Sequence, residues 1–222
     1  MMENQVENHI KEYDFDMIEI IKAGWIHING IKMQFIVAFL IYIVIAIIVQ
    51  TALGFVFPQG SSENPNLLNQ LIVGVLSMPI LVPLLVGIIM MAINNSRGET
   101  VDFKSVFNYY HLTGVLSLAG ILVYIMTMVG LMLFVLPGIY LSIAYTFTMP
   151  LIVDKNLGVW DAMELSRKTV TMHWFKVFGL VLLLGIIGLI SAIPLGIGLI
   201  WTVPLMFITL YGLLYSVMFE DE

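Results

Sequence analysis

The chain has 222 residues, of which 60% are hydrophobic and only 11% charged, with a formal net charge of −6 and no cysteine. Soluble domains hold roughly 45–50% apolar and about 25% charged residues, so a water-soluble fold of this size cannot hide so much apolar surface, and lipid must solvate it. The missing cysteines exclude disulfides, thiol catalysis, zinc-thiolate sites and iron–sulfur clusters, and the acidic balance leaves no basic cluster for nucleic-acid phosphates.

The chain opens on a polar, acidic arm that lacks the short basic and apolar regions of a secretory signal, so the first span is expected to serve as its own uncleaved insertion signal. Within this arm Phe15, Ile18, Ile21, Trp25 and Ile28 recur at three- and four-residue spacing, with Asp16, Glu19 and Lys22 on other faces, which predicts an amphipathic helix. Span one is expected over roughly Lys32 to Phe57, ending at Pro58-Gln59-Gly60-Ser61-Ser62. Span two runs roughly Leu68 to Asn94. A second amphipathic segment follows, with Phe103, Val106, Phe107 and Tyr110 in a stripe and Thr100 placed to cap it. Spans three (Leu112 to Leu136) and four (Ile139 to Val153) are joined by a turn at Pro137-Gly138. In the third amphipathic segment Trp160, Met163, Val170 and Trp174 mark one face, and Asp161, Glu164, Arg167 and Lys168 are polar. Spans five (Phe175 to Ile193) and six (Ile197 to Phe219) are joined at Pro194-Leu195-Gly196.

Each crossing needs about 20 apolar residues, and the stretches without Asp, Glu, Lys or Arg supply them: Met33 to Gln59, Asn64 to Ser96, Ser105 to Val153 and Val177 to Phe219. All nine basic residues fall before span one (Lys11, Lys22, Lys32), between spans two and three (Arg97, Lys104), or between spans four and five (Lys155, Arg167, Lys168, Lys176). The positive-inside rule makes that side cytoplasmic, with both termini on it. The expected fold is one all-α membrane domain over 1–222, built as three two-span hairpins, each preceded by a cytoplasmic interfacial helix. The units would be internal repeats over 14–94, 100–153 and 157–219. Pro137 and Pro194 stand as far apart as Phe103 and Trp160, and the second span of each hairpin carries Pro79, Pro150 or Pro204.

Candidate chemistry is sparse. No Gly-rich phosphate loop, His-Glu metal motif or nucleophile elbow is present, and the spans hold no ionisable acid, base or His, which disfavours a proton-coupled pump. His27, His111 and His173 each stand where an amphipathic segment meets a span. Gathered on one axis they could hold zinc or copper; scattered, they are interfacial side chains. The methionines, Met90, Met91, Met126, Met128 and Met132 among them, read as packing residues rather than copper ligands. Hydroxyls such as Ser77, Ser117, Ser142, Thr146, Thr148, Thr202, Thr209 and Ser216 either bond within and between helices or line a path. Pro79, Pro83, Pro150 and Pro204 are expected to kink their helices. Arg167, Lys168 and Lys176 are candidate contacts for anionic lipid headgroups, with topogenic charge as the alternative reading.

Residues Leu136 to Phe178 contain Leu-Pro-Gly-Ile-Tyr, Met-Pro-Leu-Ile-Val, Trp-Asp-Ala-Met-Glu-Leu-Ser-Arg-Lys and His-Trp-Phe-Lys-Val-Phe-Gly. This region resembles the multi-pass membrane domain found with some bacterial glycerophosphoryl diester phosphodiesterases, and related membrane families of unknown function, best over roughly 136–219. The matching positions are Pro137, Gly138, Pro150, Ala162, Ser166, Trp174 and Gly179. The resemblance implies a fold and a bacterial cytoplasmic-membrane location. It implies no catalysis, since the phosphodiesterase chemistry resides in a separate soluble domain. The expected role is a non-enzymatic scaffold or accessory factor, without cofactor, that engages membrane lipids or another membrane protein. The alternative is a facilitator or channel for a small or lipid-like solute.

Overall fold

The computed structural model describes residues 12–28, 30–60, 64–193 and 195–220. Among them the protein is helical throughout, with one isolated antiparallel bridge, Gly60 to Pro65. Helix α1 (Met17–His27) begins where the Asp16 carboxylate accepts from the backbone N–H groups of Ile18 and Glu19, at 2.8 and 2.9 Å, filling first-turn donors that have no intrahelical partner. Gly30, at φ 95°, turns the chain into α2 (Lys32–Val56). Asn66 caps α3 (Leu67–Ser96) by accepting from Asn69 N–H, and Asn69 in turn donates to Pro58 O across the connecting loop. Then come α4 (Thr113–Leu133), α5 (Val135–Ala144), α6 (Thr148–Asp154), α7 (Val159–Met172) and α8 (Trp174–Ala192). After α9 (Leu199–Phe207) the helix widens to π geometry over Ile208–Leu214 and ends as α10 (Tyr215–Phe219).

Among the described residues six segments are long and apolar enough to cross a membrane: Lys32–Val56, Leu67–Ser96, Phe103–Leu133, Val135–Asp154, Trp174–Ala192 and Leu199–Phe219. The protein is therefore an all-helical, multi-pass membrane protein. These six spans divide into two kinds. In the second, fourth and sixth, 44, 44 and 56% of the most apolar stretch is buried, against 11, 22 and 17% in the first, third and fifth. The even-numbered spans form the core and the odd-numbered ones face lipid. Phe147 stands at the centre, its ring 6.0, 6.1 and 5.6 Å from those of Tyr211, Tyr215 and Phe219. Ile93, Leu116, Leu151, Leu214 and Met218 are buried in the same cluster.

The segments that lead into each pair of spans pack on this core in a cyclic order. Helix α1 lies on the π segment and α9 of span six; Phe103–Phe107 lies on α3 of span two; α7 lies on α5 and α6 of span four. Small residues allow the approach. A Cβ on Gly24 would overlap Thr209, one on Gly87 would overlap the Val106 backbone, and one on Gly212 would come within 2.7 Å of Ala92 O.

Three local expectations are corrected. The turn between spans three and four is at Phe134, extended at φ −159° and ψ 148°, not at Pro137-Gly138. Pro137 sits in the first turn of α5, where a missing N–H costs nothing, and Gly138 lets that turn press against Gly130 and Leu131. Span four is interrupted at Tyr145–Phe147, so Pro150 opens the first turn of α6 instead of kinking a continuous helix. The second amphipathic segment forms two short 3₁₀ helices, Phe103–Phe107 and Tyr110–Leu112, capped by Asp102 rather than Thr100. Turn residues Leu195 and Gly196 are where expected, both left-handed, while Pro194 lies outside the described residues.

The third pair of spans is out of register with the others. Lys32, the first residue of α2, places its Nζ 4.6 Å from the centre of the Trp201 ring near the start of α9. Trp174, the first residue of α8, donates to Tyr140 O in α5 at 3.4 Å. In an upright bundle of alternating spans each of these pairs would stand at opposite ends.

Candidate functional site

Two polar assemblies stand out against the apolar background. The first closes one end of the core. Arg97, just past α3, donates from Nε to Glu220 Oε1 at 2.7 Å and sets Nη2 2.8 Å from Asp154 Oδ1. Tyr215 donates to Asp154 Oδ2 at 2.8 Å, and Lys155 Nζ lies 3.9 Å from the same carboxylate. One guanidinium thus ties together the ends of all three even-numbered spans. Asp154 is 9% exposed at its side chain, so its charge relies on these partners rather than on water. Burial works against the Arg97 charge, but the hydrogen bonds to Asp154 and Glu220 outweigh it and hold the guanidinium above its ordinary value.

The second assembly surrounds α7. This helix runs beside span four, antiparallel to it: Ser166 meets Ala144 and Phe147, and Thr171 meets Tyr140. Ser166 repairs the interruption. Its hydroxyl donates to Ala144 O at 2.7 Å and accepts from Phe147 N–H at 3.2 Å, with no exposure to solvent. In a dry bundle two backbone groups left open here would find no water to bond, which is why a hydroxyl is required. On the opposite face Arg167 grips Glu164 with two bonds, of 2.9 and 2.7 Å, and Lys168 Nζ stands 3.5 Å from the same carboxylate. Arg167 holds the Glu164 carboxyl below its ordinary value, and Glu164 raises the guanidinium in return.

At the α7–α8 junction the N-terminal arm is pinned down. Tyr13 is buried, donates to Thr169 O at 3.2 Å, and packs edge-on against His173, with ring centres 5.0 Å apart. Burial, with the Asp14 charge adding to it, pushes the Tyr13 hydroxyl well above its ordinary value. Asp14 pairs with Lys176, and that hydrogen bond and one from Phe15 N–H hold the Asp14 carboxyl down. Beside this junction an apolar groove of about 830 Å³ opens between α5 and the start of α8. Leu136, Ile139, Phe175 and Phe178 line it, with Tyr140, His173, Trp174 and Lys176 at its polar end.

The three basic residues singled out from sequence are thus each paired with an acid: Arg167 and Lys168 with Glu164, Lys176 with Asp14. Pro79 and Pro83 lie inside a continuous α3, and Tyr110 donates at 2.9 Å to Ile80 O, in the turn that Pro83 weakens. Pro204 lies inside α9, one turn before the π segment. The histidines are not gathered together. His27 Nδ1 contacts Ala23 O, His111 Nδ1 contacts Asn108 O, and His173 faces Tyr13. No group of three or more His, Cys, Asp or Glu able to hold a metal occurs among the described residues. Met90 and Met91 are buried in the core whereas Met132 is 86% exposed, so they share no site. Most span hydroxyls bond back to their own helix: Ser77 to Gly74 O, Ser142 to Ile139 O, Thr202 to Gly198 O and Ser216 to Leu213 O.

The Arg97 cluster and the Ser166 repair were missed from sequence. Arg97 stands out only as a topogenic charge. The usable signal was that each even-numbered span ends beside a charged residue, Arg97, Asp154 or Glu220. The chain matches no protein-family profile, no curated protein and no solved structure.

Proposed function

We propose that this protein is a non-enzymatic scaffold or accessory factor of a bacterial cytoplasmic membrane, with both termini cytoplasmic, that engages lipids or a membrane partner through its cytoplasmic segments. The observation that carries this reading is the filled core: Phe147 and its three aromatic neighbours occupy the axis between the even-numbered spans, and the Arg97 cluster ties their ends. A channel would need a polar, hydrated path there. Most of the span hydroxyls are instead bonded to their own helices. The bacterial setting rests on the resemblance of residues 136–219 to the membrane domain of glycerophosphoryl diester phosphodiesterases.

The same reading takes the chain as three related units, each a hairpin introduced by an amphipathic segment. The cyclic packing supports it: the segment that opens each unit lies on the second span of the preceding one, and α1 closes the ring on span six. A facilitator for a lipid-like solute is the second reading, favoured only by the lateral groove beside α8.

The test is purification in a mild detergent that keeps native lipids and partners, followed by mass spectrometry. A stoichiometric protein partner is expected. Bulk lipid alone would overturn the accessory role and lead to flux assays in liposomes. Because the chain has no cysteine, single-cysteine variants at Gln59 and Lys155 can test the topology directly. An impermeant maleimide applied from outside should label only the former.

A further inference from the structure

We infer that the groove between α5 and the α7–α8 junction is a binding site for one anionic phospholipid, with an acyl chain against Leu136, Ile139 and Phe178 and the headgroup phosphate on Lys176. The inference rests on the proposed lipid-engaging role and names its site.

The groove has the size of a ligand site, about 830 Å³, and a floor of apolar side chains. Its polar end combines Tyr140, Trp174, His173 and Lys176, side chains that pair an apolar body with a polar tip. Trp174 is held rigidly there. It stacks on Phe178 at 5.0 Å and 8°, and its indole N–H is bonded to Tyr140 O. Phe175 is 82% exposed, leaving the groove open sideways to lipid.

Charge selects the headgroup. Lys176 is the one charged side chain lining the groove. Its partner, Asp14, comes from the N-terminal arm outside the groove and is 70% exposed at its side chain. An ion pair this exposed is worth little, so a phosphate can take its place. The neighbouring cations are already engaged, Arg167 by Glu164 and Tyr140 and Lys168 by Glu164. Asp14 therefore acts as a stand-in for the phosphate. When a lipid binds, the arm loses its ion pair but keeps the buried Tyr13 to Thr169 bond.

The experiment uses the full chain reconstituted into phosphatidylcholine bilayers that contain a small fraction of chain-brominated phosphatidylglycerol or, in parallel, chain-brominated phosphatidylcholine. Bromine quenches indole fluorescence, and the Trp174 share is the difference between the wild type and Trp174→Phe. The preference for phosphatidylglycerol at Trp174 should be about five-fold, the partition given by about 1 kcal/mol for one basic residue at an anionic site. It should vanish in Lys176→Gln and increase in Asp14→Asn, which frees the ammonium. Equal quenching by the two lipids, or a preference that survives Lys176→Gln, would overturn the site. Should Lys176→Gln fail to fold, Asp14→Asn decides: an unchanged preference there also overturns it. The wider accessory role does not depend on this result, because a co-purifying partner is read in a separate measurement.

Discussion

The even- and odd-numbered spans are all apolar enough to cross a membrane, with mean hydropathies of 2.6, 1.5 and 1.7 against 2.8, 2.3 and 2.4, yet have opposite fates. In the lower half of α3, Leu84 and every residue from Val86 to Ile93 are buried, and the closing half of span six buries Ile208, Thr209, Gly212, Leu214, Tyr215 and Met218. In α8 only Val177, Leu180 and Leu184 are buried, and Leu189, Ile190 and Ile193 face outward. Hydropathy separates the two kinds only in part, because lipid and a protein core solvate Leu and Ile equally well: span two, at 2.6, is more apolar than spans three and five. What separates them is small residues at contact points and polar residues at the ends. Gly87 and Gly212 abut backbone, Ser166 repairs the break in span four and Arg97 ties span to span, whereas a Cβ on Gly179 or Gly188 of α8 would meet only a flexible methionine, at 3.2 and 3.5 Å.

That contrast is open to direct attack. The largest effect should come from Gly87→Ala, whose Cβ has no room against the Val106 backbone; overpacking of this kind costs about 3 kcal/mol, read as a lowered melting temperature in detergent. Ser166→Ala leaves Ala144 O and Phe147 N–H open in a buried break and should cost about 2 kcal/mol. Arg97→Gln leaves Asp154 and Glu220 facing each other. The guanidinium is 28% exposed, so the loss should fall below that of a fully buried pair, at about 1–2 kcal/mol. A smaller effect concerns pH. Glu164 titrates below its ordinary value of 4.5, so its contribution to stability is complete above that pH and is lost as the pH falls through the lowered value. In Glu164→Gln that part of the acid-induced loss should disappear from a pH series of melting curves. The smallest change belongs to Gly185→Ala in α8, where nothing lies within 4 Å: a gain of no more than about 1 kcal/mol, from helix propensity alone. A loss there as large as at Gly87 would dissolve the distinction between the two kinds of span.

Legibility in the sequence follows the same line. The spans could be found because charge-free runs of sufficient length have one meaning in a chain this apolar. Pro137 misled because proline after a helix and proline in the first turn of the next look alike in one dimension, and only the extended Phe134 shows which applies. The interruption at Tyr145–Phe147 carries no glycine or proline. It is stabilised from a distance by Ser166, nineteen residues beyond Phe147, which no local pattern reveals. Glu164 and Lys168 were readable as a pair from their spacing, but the tighter grip of Arg167 was not. The groove was half-legible. Lys176 stood out as a headgroup contact, whereas its apolar floor depends on α7 running beside span four and bringing Trp174 to Tyr140.

The Arg97 cluster also sets a timetable for biosynthesis. Arg97 and Glu220 are 123 residues apart, and Tyr215 lies 61 residues beyond Asp154. At about 5–20 residues per second, Glu220 follows Arg97 out of the ribosome by roughly 6–25 s. Through that interval the guanidinium at the end of the second span has no acidic partner, then one, and two only once Glu220 has been made. The bundle therefore closes in two stages: Asp154 first joins the fourth span to the second, and Glu220 then draws in the sixth.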